Sequence, residues 1–314
     1  MLTFGCRSSR APVGAGSDRL DAADAALSRG EVGKVIDLLK GRSQDSTRGS
    51  KLLGRAYLAS GDYNNARDAF TRAVALDSKD SESWIYLAQA SERDRFFERA
   101  ADAYEHVLTV HPGNAEAARK YAFLLTDLGR FPDALAALRR AAELLPNDEE
   151  VRYRIGVVEL TRNRNEEAEA AFHFVLQQIA SHAPARMGRG LARARLAMNI
   201  NNPGRRAEML KSAEEDFNES MKAAADWAEP AYNLGWVHEE IHKNTADAEK
   251  AYREALRRNP QHINSMIRVA GLLEKRGEKA EALGFYQKIL TLTSDPRVAT
   301  PVQAQIEELS KKGN

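Results

Sequence analysis

The sequence predicts an all-α chain built as a solenoid of stacked helix hairpins, on three observations. Small residues recur at a fixed interval, with Ala66, Ala100, Ala134 and Ala168 each 34 residues apart. Large residues keep the same interval four positions later, at Phe70, Tyr104, Leu138 and Phe172. Composition is the third: 43% of the 314 residues are apolar, 29% are charged and alanine is the commonest, a mixture that favours helix over strand and opposes disorder. Self-similarity at this period marks two-helix units that cannot bury their apolar faces alone and therefore stack.

The units follow in order as 16–46, 47–80, 81–114, 115–148, 149–180, 181–227, 228–262 and 263–296. The first is degenerate, its pattern carried by Ala23, Gly30, Val35 and Leu39. In units two to five, small residues at Gly54, Ala88, Ala122 and Gly156 let two antiparallel helices approach, and Pro112 and Pro146 end one unit before the next begins. Gly61, Gly129 and Gly277 fall midway through their units, where a tight helix–helix turn is expected to accept little besides glycine. The sixth unit is stretched: Gly188 to Ala213 spans 25 residues, against 12 from Gly54 to Ala66. Its extra residues include 199–204, Asn-Ile-Asn-Asn-Pro-Gly, read as a surface loop. The register chosen there turns Met187 and Leu191 inward, because the alternative buries Arg189 and Arg193. The seventh unit carries one further inserted residue. After Pro296, Thr300 as N-cap and Pro301 as first helical residue are expected to open a closing helix to Lys312. Val302, Ile306 and Leu309 lie on its apolar face, covering the end of the stack.

Several function classes are excluded at this level. Forty-six basic against 45 acidic residues is too even for nucleic-acid binding through bulk charge. One cysteine forms no internal disulfide framework and no cysteine-based zinc finger. No stretch approaches the ~20 apolar residues that cross a bilayer as a helix. Neither a nucleophile elbow, a phosphate-cradling loop nor a dinucleotide fingerprint is present, so the expectation is a protein that is not an enzyme and takes no cofactor or small-molecule substrate.

Leu53-Gly54, Tyr57, Gly61, Tyr63, Ala66, Phe70 and Ala73 resemble nearly the whole consensus of a tetratricopeptide repeat, and Leu234-Gly235, Ala248, Tyr252, Ala255 and Pro260 resemble it in a second unit. The resemblance covers roughly nine-tenths of the chain. It implies a right-handed superhelical solenoid of about eight hairpins, with a C-terminal capping helix and a concave groove lined by the first helix of each pair. By the same resemblance, residues flanking the Leu-Gly pair point into that groove: Arg48, Lys51 and Arg55; Tyr86 and Gln89; Arg119, Lys120 and Phe123; Tyr153, Arg154 and Val157. Later units add Arg186 and Arg189; Tyr232, Asn233 and Trp236; Asn264 and Arg268. Compensating acids such as Glu98, Asp102 and Glu105 are assigned to faces away from the groove. The expected partner is a protein or peptide whose extended, anionic segment meets a basic and aromatic face.

The carboxylate clamp of some family members is matched only in part. Asn233 and Arg268 keep their slots, Arg189 stands where an asparagine belongs, and Ala185 and Asn264 replace the two lysines. An RNA-reading helical repeat is a weaker alternative, since no polar pair recurs once per unit. His238-Glu239-Glu240-Ile241-His242 fits H-E-x-x-H, giving a zinc metallopeptidase as the second alternative, with Glu239 as general base. The favoured reading treats those residues as packing and surface positions of a repeat helix, with no metal. Residues 1–15 read as a polar tail or tether. Its Cys6 resembles the end of a bacterial lipoprotein signal, although Thr3 and Phe4 depart from the usual pattern. With an upstream start, Cys6 would carry a lipid and anchor the chain to a membrane, within an envelope or pilus assembly; otherwise the chain is cytoplasmic.

Overall fold

The computed structural model describes residues 14–41 and 46–311. Its helices come in consecutive pairs: α1 (Gly14–Ser28) with α2 (Val32–Leu39), α3 (Thr47–Ala59) with α4 (Tyr63–Leu76), α5 (Ser81–Arg93) with α6 (Phe97–Val110), and α7 (Ala115–Asp127) with α8 (Phe131–Leu144). The next pairs are α9 (Glu149–Thr161) with α10 (Asn165–Gln178) and α11 (Ala183–Ala197) with α12 (Pro203–Ala223). Then α13 (Glu229–Trp236) runs on through a π-turn at Val237–Ile241 to pair with α14 (Thr245–Arg258), and α15 (Ile263–Lys275) pairs with α16 (Lys279–Leu292). The single helix α17 (Pro296–Lys311) follows. No strand occurs among the described residues. Within α9, the chain divides into two compact units, 1–151 and 152–314. The closing α17 buries Val302 and Leu309 against the last hairpin, with Ile306 beside them.

Side-chain caps start several helices. Ser46, Asp62, Asn114, Asn202 and Asn244 accept from the backbone N–H three residues on, satisfying a donor that the helix itself leaves unpaired. Every hairpin turn except the sixth passes through one left-handed residue. That slot holds Gly61, Gly129 and Gly277, as expected, yet Arg95, Asn163 and Lys243 hold it in other hairpins at φ of 63°, 58° and 56°. The expectation that the turn accepts little besides glycine is therefore corrected. Closing the hairpin outweighs a left-handed cost of about 1–2 kcal/mol.

In both units the first helices form one layer. In the first unit α1 meets α3 and α3 meets α5; in the second, α11 meets α13. The second helices make no comparable contacts with one another. Between the layers lie the recurring large side chains, all buried: Phe70, Tyr104 and Leu138 in the first unit, Phe172, Phe217, Tyr252 and Tyr286 in the second. The small residue opposite each is a steric requirement. A Cβ added to Gly54 would lie 2.7 Å from the Phe70 ring, and one on Gly235 would lie 2.6 Å from Tyr252. Gly54→Ala is expected to destabilise by about 1–3 kcal/mol through overpacking. Gly271 sits inside α15 with nothing within 4 Å of an added Cβ. Gly271→Ala should therefore stabilise by about 0.5–1 kcal/mol. Urea unfolding of the two variants, with shifts of opposite sign, checks both.

The sixth hairpin and the closing helix depart from expectation. The extra residues in 194–206 lengthen helices more than they make a loop: α12 has 21 residues where α4, α6, α8 and α10 have 14. The turn is short because Asn202 caps α12 and Pro203 supplies its first residue. Register is also shifted by two. Gly190, not Gly188, faces the large residue of its own hairpin, an added Cβ lying 2.9 Å from Phe217; Gly188 packs on Phe172 of the hairpin before. The closing helix starts at Pro296 rather than Pro301, which lies inside it. Asp295 is the reason: its carboxylate accepts from Arg297 N–H at 2.9 Å and its carbonyl from Val298 and Ala299, an earlier cap than Thr300.

Candidate functional site

The first helices carry the residues expected to meet a partner, and their electrostatics correct the sequence reading. In the first unit Arg48, Lys51, Arg119 and Lys120 are already paired. Arg48 meets Asp21 at 2.7 Å, Lys51 meets Asp80 at 3.0 Å and Glu82 at 2.7 Å, Arg119 meets Asp148 at 2.9 Å, and Lys120 meets Glu92 at 3.5 Å. Burial by itself lowers the Lys51 pKa and raises that of Asp80. Hydrogen bonds reverse both, leaving Lys51 above and Asp80 below their ordinary values. Acids thus stand beside the bases on the first helices themselves, Asp80, Glu82 and Asp148 at the start of the next first helix and Asp21 and Glu92 on the one before. That removes the segregated positive face. The aromatics serve the stack as well: Tyr86 lies against Phe70 at 5.3 Å between ring centres, Arg55 covers Tyr86, and Arg119 covers Phe123. Gln89 and Lys120 line a cavity of about 460 Å³ with Tyr63, Glu92, Arg93 and Glu116.

In the second unit the register shift changes which residues are presented. Met187 and Leu191 take the slots that Lys51 and Arg55 hold in the second hairpin, and Arg189 and Arg193 take those of Leu53 and Tyr57. Both arginines are therefore drawn inside, where the discarded register had placed them. Their charge is met by Asp216, whose side chain is only 3% exposed: Arg189 binds it with two hydrogen bonds of 2.6 and 2.9 Å, and Arg193 with one of 3.0 Å. Arg193 also reaches Glu169 at 2.7 Å. Arg186 donates to the Ala180 carbonyl and lines a cavity with Glu219 and Lys222 of α12. Arg189 is therefore engaged by Asp216 within the hairpin, and Arg186 by the Ala180 turn beside α12. One sequence signal marks this arrangement. Asp216 occupies a column that holds Ala69, Ala103, Ala137, Ala171 and Ala251 in five other units and Phe285 in the eighth, so an acid there requires a buried cation nearby.

What the second unit presents instead is largely apolar. Tyr153, Val157 and Leu160 of α9, Met187 and Leu191 of α11, and Trp236 at the end of α13 are partly buried, each with surface remaining. Asn233 bridges neighbouring first helices, donating to the Met187 sulfur at 3.4 Å and to the Glu229 carbonyl at 3.0 Å. Tyr153 and Tyr232 lie against Phe172 and Tyr252. Arg154 shares the α9 surface, and Asn264 is exposed on α15. Arg268 meets Glu239 at 3.5 Å and Glu240 at 3.4 Å.

The H-E-x-x-H residues lack the arrangement a metallopeptidase needs. Glu239 accepts from the Tyr252 hydroxyl at 2.9 Å and is flanked by Arg268 and Lys275. Burial, and then Glu239 beside it, push the Tyr252 hydroxyl far above its ordinary value, so it stays a donor. Glu239 is thereby turned to helix packing and is not poised beside the histidines as a base. Cys6 lies outside the described residues. No described helix is long and apolar enough to cross a membrane.

Family profiles described as tetratricopeptide repeat match residues 51–105, 97–153 and 232–297, together more than half of the chain. Among curated proteins the chain is 23% identical over 233 residues to Protein O-mannosyl-transferase TMTC3 of Homo sapiens, covering 69% of this chain and 24% of that protein. It is 21% identical over 262 residues to TPR repeat-containing protein MJ1428 of Methanocaldococcus jannaschii, covering 82% of this chain and 45% of that protein. The chain thus spans less than half the length of these relatives. Among solved structures, a tetratricopeptide repeat protein from Parabacteroides merdae aligns with a TM-score of 0.61 at 15% identity, over 83% of this chain and 98% of that one. YrrB, described as a TPR protein with an unusual peptide-binding site, aligns with a TM-score of 0.52 at 18% identity, over 64% of this chain and 97% of that one. These structural likenesses concern the fold. Stacked repeats of this kind generally serve as scaffolds for protein partners. From the in-phase columns, the paired helices and the matched profiles, the chain belongs to the tetratricopeptide-repeat family.

Proposed function

We propose that the chain is a non-catalytic scaffold that holds an extended or helical segment of a protein partner against its inner layer of first helices. The observation that carries this is the row of partly exposed apolar side chains on successive first helices of the second unit: Val157, Met187, Leu191 and Trp236. Residues of this kind, with an aromatic anchor and polar groups such as Asn233 and Arg268 alongside, favour an amphipathic segment. An anionic partner gains less than a segregated positive face would provide, since it must displace an internal carboxylate from Lys51, Arg119 or Lys120. The paired bases give direction more than strength. YrrB, with its described peptide-binding site on the same fold, is consistent with a peptide as the ligand class. A membrane-anchored setting through Cys6 remains part of the proposal and is independent of the inner face.

The test compares the full chain with Met187→Asp/Leu191→Asp, with Lys51→Ala/Arg119→Ala/Lys120→Ala, and with Met198→Asp on the exposed turn. Partners captured by the wild type are identified by mass spectrometry and their affinities measured. The apolar variant should weaken binding by at least tenfold, about 1.4 kcal/mol, and the basic variant by less. The Met198 variant should bind as wild type. Equal binding by the apolar variant, with its helicity preserved in circular dichroism, would refute the inner-face assignment.

A further inference from the structure

The seventh hairpin differs from its neighbours by one added residue in its first helix, and the chain absorbs it as the π-turn Val237–Ile241. His242 N–H donates five residues back to the Val237 carbonyl at 3.1 Å, and Asn244 N–H donates to the His238 carbonyl at 2.8 Å. Such turns are uncommon and cluster at functional positions. Here the turn sets the His238 and His242 rings 5.6 Å apart, with 36° between their planes. From the preceding hairpin, Glu214 of α12 reaches across to His242 Nε2 at 2.7 Å. One donor atom from each of the three side chains lies within 4.8 Å of the others. Glu214 and His238 are partly buried, His242 is exposed, and the negative charge of Asp247 lies near His238.

Residues in the same column as Glu214 also staple neighbouring hairpins elsewhere, Arg67 to Asp94 and Glu249 to Arg276. Those contacts are plain ion pairs. At the Glu214 junction a neutral-capable imidazole replaces the charged partner, and a second imidazole stands one turn away. We propose that Glu214, His238 and His242 form a divalent transition-metal site that ties the sixth hairpin to the seventh. Two imidazole nitrogens and one carboxylate suit zinc and its first-row neighbours, whereas calcium and magnesium call for oxygen donors throughout. Metal–ligand bonds of about 2.0–2.1 Å in a tetrahedron set donors about 3.3 Å apart, which side-chain rotation reaches by opening the 2.7 Å contact and closing the widest gap. Water completes the coordination. The site is structural and not hydrolytic, because Glu239 is committed to Tyr252 and Arg268. Since the ion binds only where both hairpins are in place, it stabilises the folded junction by mass action.

The test uses the full chain without a polyhistidine tag, freed of metal by chelator and titrated with zinc chloride alone by calorimetry. Cobalt(II) absorbance gives a second readout of the coordination. One equivalent of zinc should bind and raise the melting temperature, and cobalt should develop the visible bands of a low-coordinate nitrogen–oxygen site. His242→Ala and Glu214→Gln, both at solvent-accessible side chains, should each weaken zinc at least tenfold while helicity is unchanged. His238→Ala should do the same, and His111→Ala, an exposed histidine elsewhere, should bind as wild type. Absence of a one-equivalent event in the wild type would overturn the proposal. So would binding that survives in the His242→Ala/Glu214→Gln double variant, or that falls equally in His111→Ala.

Discussion

Asp216→Ala is expected to lower the unfolding free energy by about 3–5 kcal/mol, the cost of leaving buried arginines without their counter-charge. Arg189 and Arg193 have side chains only 13% and 19% exposed, and both spend hydrogen bonds on this one carboxylate. Glu169 holds part of Arg193, but Arg189 is left with His173 alone. The second hairpin shows what the same three slots contain when apolar: Leu53, Tyr57 and Ala69, all buried. The triple variant Arg189→Leu/Arg193→Tyr/Asp216→Ala should therefore recover wild-type stability or exceed it by about 1–4 kcal/mol, since a buried ion cluster replaced by packed side chains is often a gain. Urea unfolding followed by circular dichroism measures both. A single variant that loses less than 1 kcal/mol would show that water already solvates the arginines.

Phe172→Ala should cost about 3–5 kcal/mol as well, by a different mechanism. The ring is 1% exposed and is gripped by two glycines from different helices. A Cβ added to Gly156 of α9 would lie 2.7 Å from it, and one on Gly188 of α11 would lie 2.5 Å away. Three helices thus close on one side chain, and its removal leaves a cavity at the junction of the fifth and sixth hairpins that glycine backbones cannot fill. Phe172→Leu, which imports the residue found in the same column at Leu138, should cost less than half as much. The same unfolding assay separates the two, and equal losses would mean that ring shape rather than volume sets the fit.

The hairpins were legible because their signals are local. The alanine and aromatic columns, the caps at Ser46, Asp62 and Asn114, and the turn glycines act within a few residues or across one hairpin of fixed length. The candidate face was legible only by slot: Tyr153, Asn233 and Trp236 lie on first helices and keep part of their surface. The charges there were not, because an arginine's slot does not say which acid answers it. Lys51 finds Asp80 and Glu82 about thirty residues on, in the next first helix.

The sixth and seventh hairpins divide what each level of structure decides. By itself, the sequence determined that two helices pair there, that each pair needs a small residue opposite a large one, and that 13 extra residues in one unit and one in the next had to be absorbed somewhere. Tertiary structure decided where. Phe217 selects Gly190 over Gly188 because only that glycine faces its ring, and Asp216 makes the charged register affordable by neutralising Arg189 and Arg193. The added residue of the seventh unit becomes a π-turn beside His238 and His242 because Gly235 must still face Tyr252 across the hairpin. Periodicity is a constraint along the chain. Register and charge pairing are settled by contacts across it, where close packing leaves one fit.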